Sequence, residues 1–157
     1  MKSPCPQHPH PHRLIQQPLS DLTEKLRQGE LKITAPRQAI LDVLRRHACP
    51  LTTKEIHRSL GKSDCDLATV YRNMHTLEGM GLVRRHDFGD GAARFELSSD
   101  EGEGHHHHLV CTRCSRIVEL DDCILGDFQE RLAQRHGFTS ISHRMEFFGI
   151  CPNCRGA

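Results

Sequence analysis

The chain carries 13 His and 8 Cys in 157 residues, and their spacing matters more than their number. In His105-His106-His107-His108-Leu109-Val110-Cys111-Thr112-Arg113-Cys114 a run of imidazoles leads into a Cys-x2-Cys pair, and a second such pair stands at Cys151 and Cys154. Thiolate and imidazole are the ligands that a borderline-soft cation such as zinc selects, and Cys-x2-Cys is the spacing a tight knuckle needs. Two knuckles together close a tetrahedral all-thiolate site, which is structural because it keeps no position open for a substrate. The upstream histidines are then spare ligands for a second, exchangeable ion. Disulfides are the other use of paired cysteines. The N-terminus lacks the apolar core of an export signal, so metal in a reducing cytoplasm is the expectation.

Whatever positions these ligands must be small. The length suits one domain or two small ones. Hydrophobic residues make up 36%, with six Phe, one Tyr and no Trp, so neither half builds a large aromatic core. A piece of about 60 residues usually needs a staple, and the four thiolates supply one to the C-terminal half. Net charge is +1 but uneven: residues 1–98 hold 15 Lys/Arg against 11 Asp/Glu, and residues 99–157 hold 6 against 9. The basic half leans modestly towards nucleic acid. No apolar run approaches the roughly 18 residues of a membrane span, so no membrane partner is expected.

Residues 1–17 alternate Pro with His as far as His12 and read as a disordered tail, with Cys5, His8, His10 and His12 at most a loose metal site. A helix is expected from Leu19 to Gly29, capped by Ser20 or Asp21, with Leu22 and Leu26 on one face. Thr34 is expected to cap a second helix that has Pro36 in its first turn and buries Ile40, Leu41, Val43 and Leu44. Thr52-Thr53-Lys54-Glu55 is a capping box that opens a short helix through Leu60. Gly61-Lys62-Ser63 ends like a phosphate-binding loop, but Ile56 stands where that motif needs Gly, which excludes it.

Asp66 caps a further helix, Leu67 to about Met80. Leu67, Val70, Tyr71, Met74 and Leu77 mark its buried side, and Thr69, Arg72, Asn73 and Thr76 its hydrogen-bonding side. Leu82–Phe88 and Ala92–Leu97 flank Gly89-Asp90-Gly91, a hairpin signal. Three helices followed by a hairpin make a winged helix-turn-helix whose last helix would enter a major groove. A packed helical domain with a solvated polar face fits the same pattern, and the pattern alone leaves both open.

Residues 18–98 thus form one expected domain, and the polar, Gly-bearing residues 99–104 a hinge. Residues 105–157 form the second domain. There, His107–Val110 and Ile117–Leu120 are expected strands around the first knuckle. Asp121 or Asp122 caps a helix through His136 that buries Ile124, Leu125, Phe128 and Leu132 and stops at Gly137. Phe138–Gly149 is a strand leading to the second knuckle.

Thr34-Ala35-Pro36-Arg37, Leu67-Ala68-Thr69-Val70-Tyr71-Arg72, the His105–Cys114 run, His136-Gly137-Phe138 and Cys151-x-x-Cys154 occur here in one order. In that order, from about Leu19 to Cys154, the chain resembles the ferric uptake regulator family of bacterial metal-responsive repressors. The resemblance implies an α+β protein: an N-terminal winged helix that binds palindromic double-stranded DNA, a hinge, and a C-terminal α/β domain that dimerises through its strands. It implies structural zinc on Cys111, Cys114, Cys151 and Cys154. It places Tyr71 and Arg72 at the major groove and Lys32 at the minor groove, with Thr69 and Asn73 beside them on the same helix.

The resemblance also maps a regulatory metal to Glu96, His106, His108 and Glu119. In a strand, positions 106 and 108 share a face, so both imidazoles can meet one ion. Two departures from the family pattern stand out. Many members have a further His ligand where this chain has Pro50, with Cys49 beside it as a substitute. An accessory site is matched by His105, His107 and His143, but Gly126 replaces its usual carboxylate and Asp127 points elsewhere.

A cysteine at the end of the wing, usual in the zinc-responsive branch, is absent, since Ser98 stands at about that place. The peroxide-sensing branch uses aspartates where Glu96 and Glu119 stand. Both differences favour Fe(II), while the polyhistidine run and Cys49 favour Zn(II); Mn(II) suits the same donors. The reading is therefore a cytoplasmic, homodimeric, metal-dependent repressor, Fe(II)-responsive with Zn(II) as the alternative. A metal-buffering protein would use the same ligands without DNA. A zinc hydrolase would need an open coordination position and a general base, and no constellation here supports one, so no enzyme is expected.

Overall fold

The computed structural model describes residues 18–29, 32–61, 65–98, 106–120 and 125–156. The His/Pro tail, the hinge, His105, Ile124 and the expected cap at Asp121 or Asp122 lie outside the described residues. Those described form two compact units, one through residue 98 and one from residue 106. None of their helices is long and apolar enough to cross a membrane.

The first unit runs α1 (Leu19–Gln28), α2 (Ala35–Arg45), β1 (Leu51–Thr52), α3 (Thr53–Ser59), α4 (Leu67–Gly79), β2 (Val83–Asp87) and β3 (Ala93–Leu97). Apolar residues at three- and four-residue steps turn each long helix inward, and Leu22, Leu26, Ile40, Leu41, Ile56, Val70, Met74, Leu77 and Leu97 meet in one core. The strands form a sheet of order β1-β3-β2, with β2 and β3 an antiparallel hairpin. Its turn needs backbone in the left-handed region, which Gly89 (φ 77) and Gly91 (φ 76) supply at no steric cost. Asp90 then clamps Arg94 with two oxygens at 2.8 and 2.6 Å, which fixes the wing.

Local capping chemistry decides the helix starts. Thr52 Oγ1 accepts from the Glu55 N–H while Glu55 Oε2 accepts from the Thr52 N–H, a complete capping box. Asp66 Oδ1 accepts from the Thr69 N–H at 2.6 Å and starts α4. In α1 the cap position falls instead on Pro18, two residues before Ser20, so Ser20 and Asp21 lie inside the first turn. Thr34 does occupy the cap position of α2, but makes no side-chain capping bond.

The second unit runs β4 (His107–Cys111), β5 (Ile117–Leu120), α5 (Gly126–His136), β6 (Glu146–Gly149) and α6 (Pro152–Arg155). Its sheet order is β5-β4-β6, with β4 antiparallel to β5 and parallel to β6. The strand expected over Phe138–Gly149 is confined to β6, and α6 follows it where no element was expected. The expected buried stripe of α5 is not met. Phe128 is 47% exposed, and no residue of this helix is buried. Among the described residues, the buried hydrophobics of this unit are Val110, Cys111 and Ile117. So small a core cannot hold these strands by area alone.

Candidate metal centres and nucleic-acid face

The parallel register of β4 and β6 sets Cys111 opposite Gly149 and so brings the second knuckle up to the first. Cys111 ends β4, Cys114 follows in a tight turn whose Ser115 has φ 56, and Cys151 and Cys154 bracket the start of α6. All four Sγ atoms lie within 4.8 Å of one another, and Cys114 Sγ sits 3.7 Å from Cys151 Sγ. Zinc–sulfur bonds of about 2.3 Å in a tetrahedron imply sulfur separations of about 3.8 Å, so the set fits zinc.

Backbone donors prepare the Cys111 thiol for ionisation. The Cys151 N–H donates to Cys111 Sγ at 3.3 Å, and this bond, with others from Cys114 and Arg113, draws the Cys111 thiol down to about 6. Cys154 is pushed up to about 12, chiefly by hydrogen bonds to the Cys114 and Cys151 sulfurs. One sulfur is thus ready as an anion while another keeps its proton until a cation displaces it. Arg113 donates to the Cys154 carbonyl at 2.7 Å and ties the two knuckles together.

Strand alternation sorts the histidines. His106 and His108 face one way with rings 5.0 Å apart, and His108 lies opposite Glu119 on β5. His106 Nε2 is 3.6 Å from Glu119 Oε1. Ligand atoms of His106, His108 and Glu119 fall within 4.8 Å of one another, a mixed N/O set that suits Fe(II), Mn(II) or Zn(II). His107 faces the other way, its Nε2 3.1 Å from His143 Nε2 and its Nδ1 3.3 Å from the Met145 carbonyl. Gly126, in place of a carboxylate, begins α5.

The remaining expected ligands belong to the first unit. Glu96 is buried on β3, and its Oε1 is 2.8 Å from His86 Nε2. Cys49 is buried ahead of β1. His86 escaped the sequence reading as a site residue. Carrying the hairpin register back from Gly89-Asp90-Gly91 pairs Arg84 with Glu96 and would have put His86 diagonally beside that carboxylate.

Lys32 and Arg72 are exposed, as a DNA contact requires. Arg37 donates to the Lys32 carbonyl at 2.6 Å and fixes the approach to α2. Arg72 donates to Thr69 Oγ1 at 3.0 Å. Two positions on α4 are reversed from the sequence expectation. Tyr71, expected on the buried stripe, is 52% exposed, whereas Asn73, expected outside, is 9% exposed. Asn73 lies three residues after Val70 and four before Leu77, so helix geometry turns it inward, and its Nδ2 donates to the Thr69 carbonyl at 2.8 Å.

The sequence profile of the ferric uptake regulator family matches residues 28–148. The ferric uptake regulation protein of Legionella pneumophila is 40% identical over 138 residues, covering 85% of this chain and 98% of its own length. Among solved structures, the Helicobacter pylori ferric uptake regulator, with three functional metal binding sites, aligns with TM-score 0.75 and 26% identity over 88% of this chain and 95% of its own. The Vibrio cholerae ferric uptake regulator aligns with TM-score 0.71 and 33% identity, covering 83% of this chain and all (100%) of the solved one.

Proposed function

The chain belongs to the ferric uptake regulator family, and on that premise we propose a division of labour between its two metal centres. The protein is a metal-responsive, DNA-binding transcriptional repressor. Cys111, Cys114, Cys151 and Cys154 hold a permanent zinc that builds the C-terminal unit. His106, His108 and Glu119, joined by Glu96 from the N-terminal unit, hold an exchangeable ion, Fe(II) first, with Zn(II) or Mn(II) as the other candidates. Cys49 is the candidate extra ligand and His107 with His143 the reduced accessory site.

One observation carries this reading: β4 begins directly after His106, carries His108 near its start and ends on Cys111. The strand the zinc holds in place is the strand that presents the sensor. An ion bound by Glu96 and the β4 histidines together favours one arrangement of the two units by its differential affinity for that arrangement. In a homodimer that arrangement sets two copies of α4 at the spacing of a palindromic operator. The exposed Phe147, Phe148 and Ile150 support dimerisation through the C-terminal unit. Lys32, Thr69, Tyr71 and Arg72 are the DNA contacts, and Asn73 holds α4 in shape. No residue is assigned a catalytic role.

The test strips the sensor while leaving the zinc. Fe(II), Mn(II) and Zn(II) are then titrated separately and operator affinity is followed at one fixed salt concentration. Operator binding should rise steeply with one ion, Fe(II) on this reading. A chain that binds its operator equally with all three ions and with none overturns it. A salt slope near zero with DNA would instead identify a metal buffer.

A further inference from the structure

We infer that His86 is the positioning residue for Glu96, holding one carboxylate oxygen so that the other faces the regulatory ion. This rests on the reading of Glu96 as a ligand. Glu96 is 6% exposed and His86 11% exposed, and His86 Nε2 lies 2.8 Å from Glu96 Oε1. A carboxylate is an acceptor only, so Nε2 carries the hydrogen and donates it to Oε1. A ligating carboxylate held in this way has a fixed direction, and outer partners of metal ligands typically contribute 10–100-fold in affinity.

The imidazole is itself held. Its ring stacks on Phe88 with centroids 5.6 Å apart and planes at 19°. Phe88 is buried under Arg94, whose guanidinium carbon lies 5.7 Å from the ring centroid. Arg94 is clamped in turn by Asp90 in the hairpin turn. A row of side chains along one hairpin therefore fixes the donor at Glu96. The family pattern puts a histidine at Pro50, just ahead of β1; here a histidine of the wing serves the same centre from behind a ligand.

The experiment titrates Co(II) into the zinc-loaded full chain and reads affinity and the Co(II) absorption spectrum. Its variants are His86→Gln, whose amide N–H reaches as far as Nε2, His86→Asn, whose amide falls short, and His86→Phe, which keeps the stacking alone. Asn and Phe should weaken Co(II) binding by about 10–100-fold and shift its spectrum, while Gln should restore most of both. Zinc content and thermal unfolding should stay at parental values. If Gln and Asn bind Co(II) equally tightly while Glu96→Ala binds weakly, His86 does not position Glu96, although Glu96 remains a ligand. If Glu96→Ala binds as the parent does, the ligand reading fails and takes this inference with it. Should His86→Phe not fold, the comparison of Gln with Asn decides alone.

Discussion

The backbone N–H of Cys151 points at the Sγ of Cys111 across 3.3 Å, so the second knuckle stabilises the first knuckle's thiolate before any cation arrives. The bond can form only when β6 lies beside β4, which makes the thiolate set a product of the tertiary fold. Metal binding and folding of this unit are therefore one equilibrium. Zinc binding to such sites is worth roughly 10–16 kcal/mol in small peptides, as much as a domain's whole net stability of about 5–15 kcal/mol. Cys111→Ser is expected to lose its zinc and unfold the C-terminal unit, leaving the helices of the N-terminal unit. Native mass spectrometry with circular dichroism checks this; a zinc-free chain with parental ellipticity would contradict it.

His106 and His108 share a strand face with Glu119, apart from the thiolates. Replacing both histidines with Ala should abolish the metal-dependent gain in operator affinity while one structural zinc per chain remains. Metal analysis and gel shifts with and without chelator measure the two halves of that statement. A double variant that still tightens on its operator when metal is added would place the sensor elsewhere.

The legible parts of this chain are those set by short-range chemistry. The Thr52–Glu55 capping box, the Asp66 cap and each Cys-x-x-Cys turn need only neighbours within a few residues. What failed needed angular or non-local information. Tyr71 falls on the expected buried stripe of α4 by its spacing from Leu67 and Met74, but the helix turns Asn73 to the core in its place. Phe128 reads as buried from its spacing on α5, yet it stays 47% exposed, with the Arg131 guanidinium of its own helix over its ring. The meeting of the knuckles depends on β6 running parallel to β4, a pairing between segments nearly forty residues apart that no local pattern records.

Arg72 and Asn73 are neighbours with opposite tasks. Arg72 is exposed and has a guanidinium fork suited to guanine or phosphate. Arg72→Ala should lose specific operator binding with zinc content and melting unchanged, and intact affinity in a gel-shift series would remove it from the interface. Asn73→Ala breaks the buried bond to the Thr69 carbonyl and should lower stability by about 1 kcal/mol with operator preference retained. Denaturant unfolding measures that loss.

Lys32 lies at the start of the segment that Arg37 pins, exposed and without base-reading geometry of its own. A single phosphate or minor-groove cation contributes through counterion release. Lys32→Ala should weaken binding to all sequences alike and reduce the salt slope by about 1. An unchanged slope would mean that Lys32 stays clear of the DNA.

Asp66 links the proposed recognition helix to pH. Its carboxyl is held below its ordinary value of 3.8, first by the Thr69 backbone N–H and then by the Thr69 side chain. The folded chain therefore releases this proton more readily than the unfolded one. The resulting stabilisation is fully present above the ordinary value and drains away as pH falls through the lowered folded value. Asn caps a helix about as well as Asp but does not ionise. Between about pH 5 and pH 2 the melting temperature of the parent should fall more steeply than that of Asp66→Asn, and above that range the two should run parallel. Acid also protonates the zinc ligands, but it does so in both proteins, so the difference between the curves isolates the cap. Curves that stay parallel down to the lowest pH would show that the Asp66 charge does not hold the start of α4.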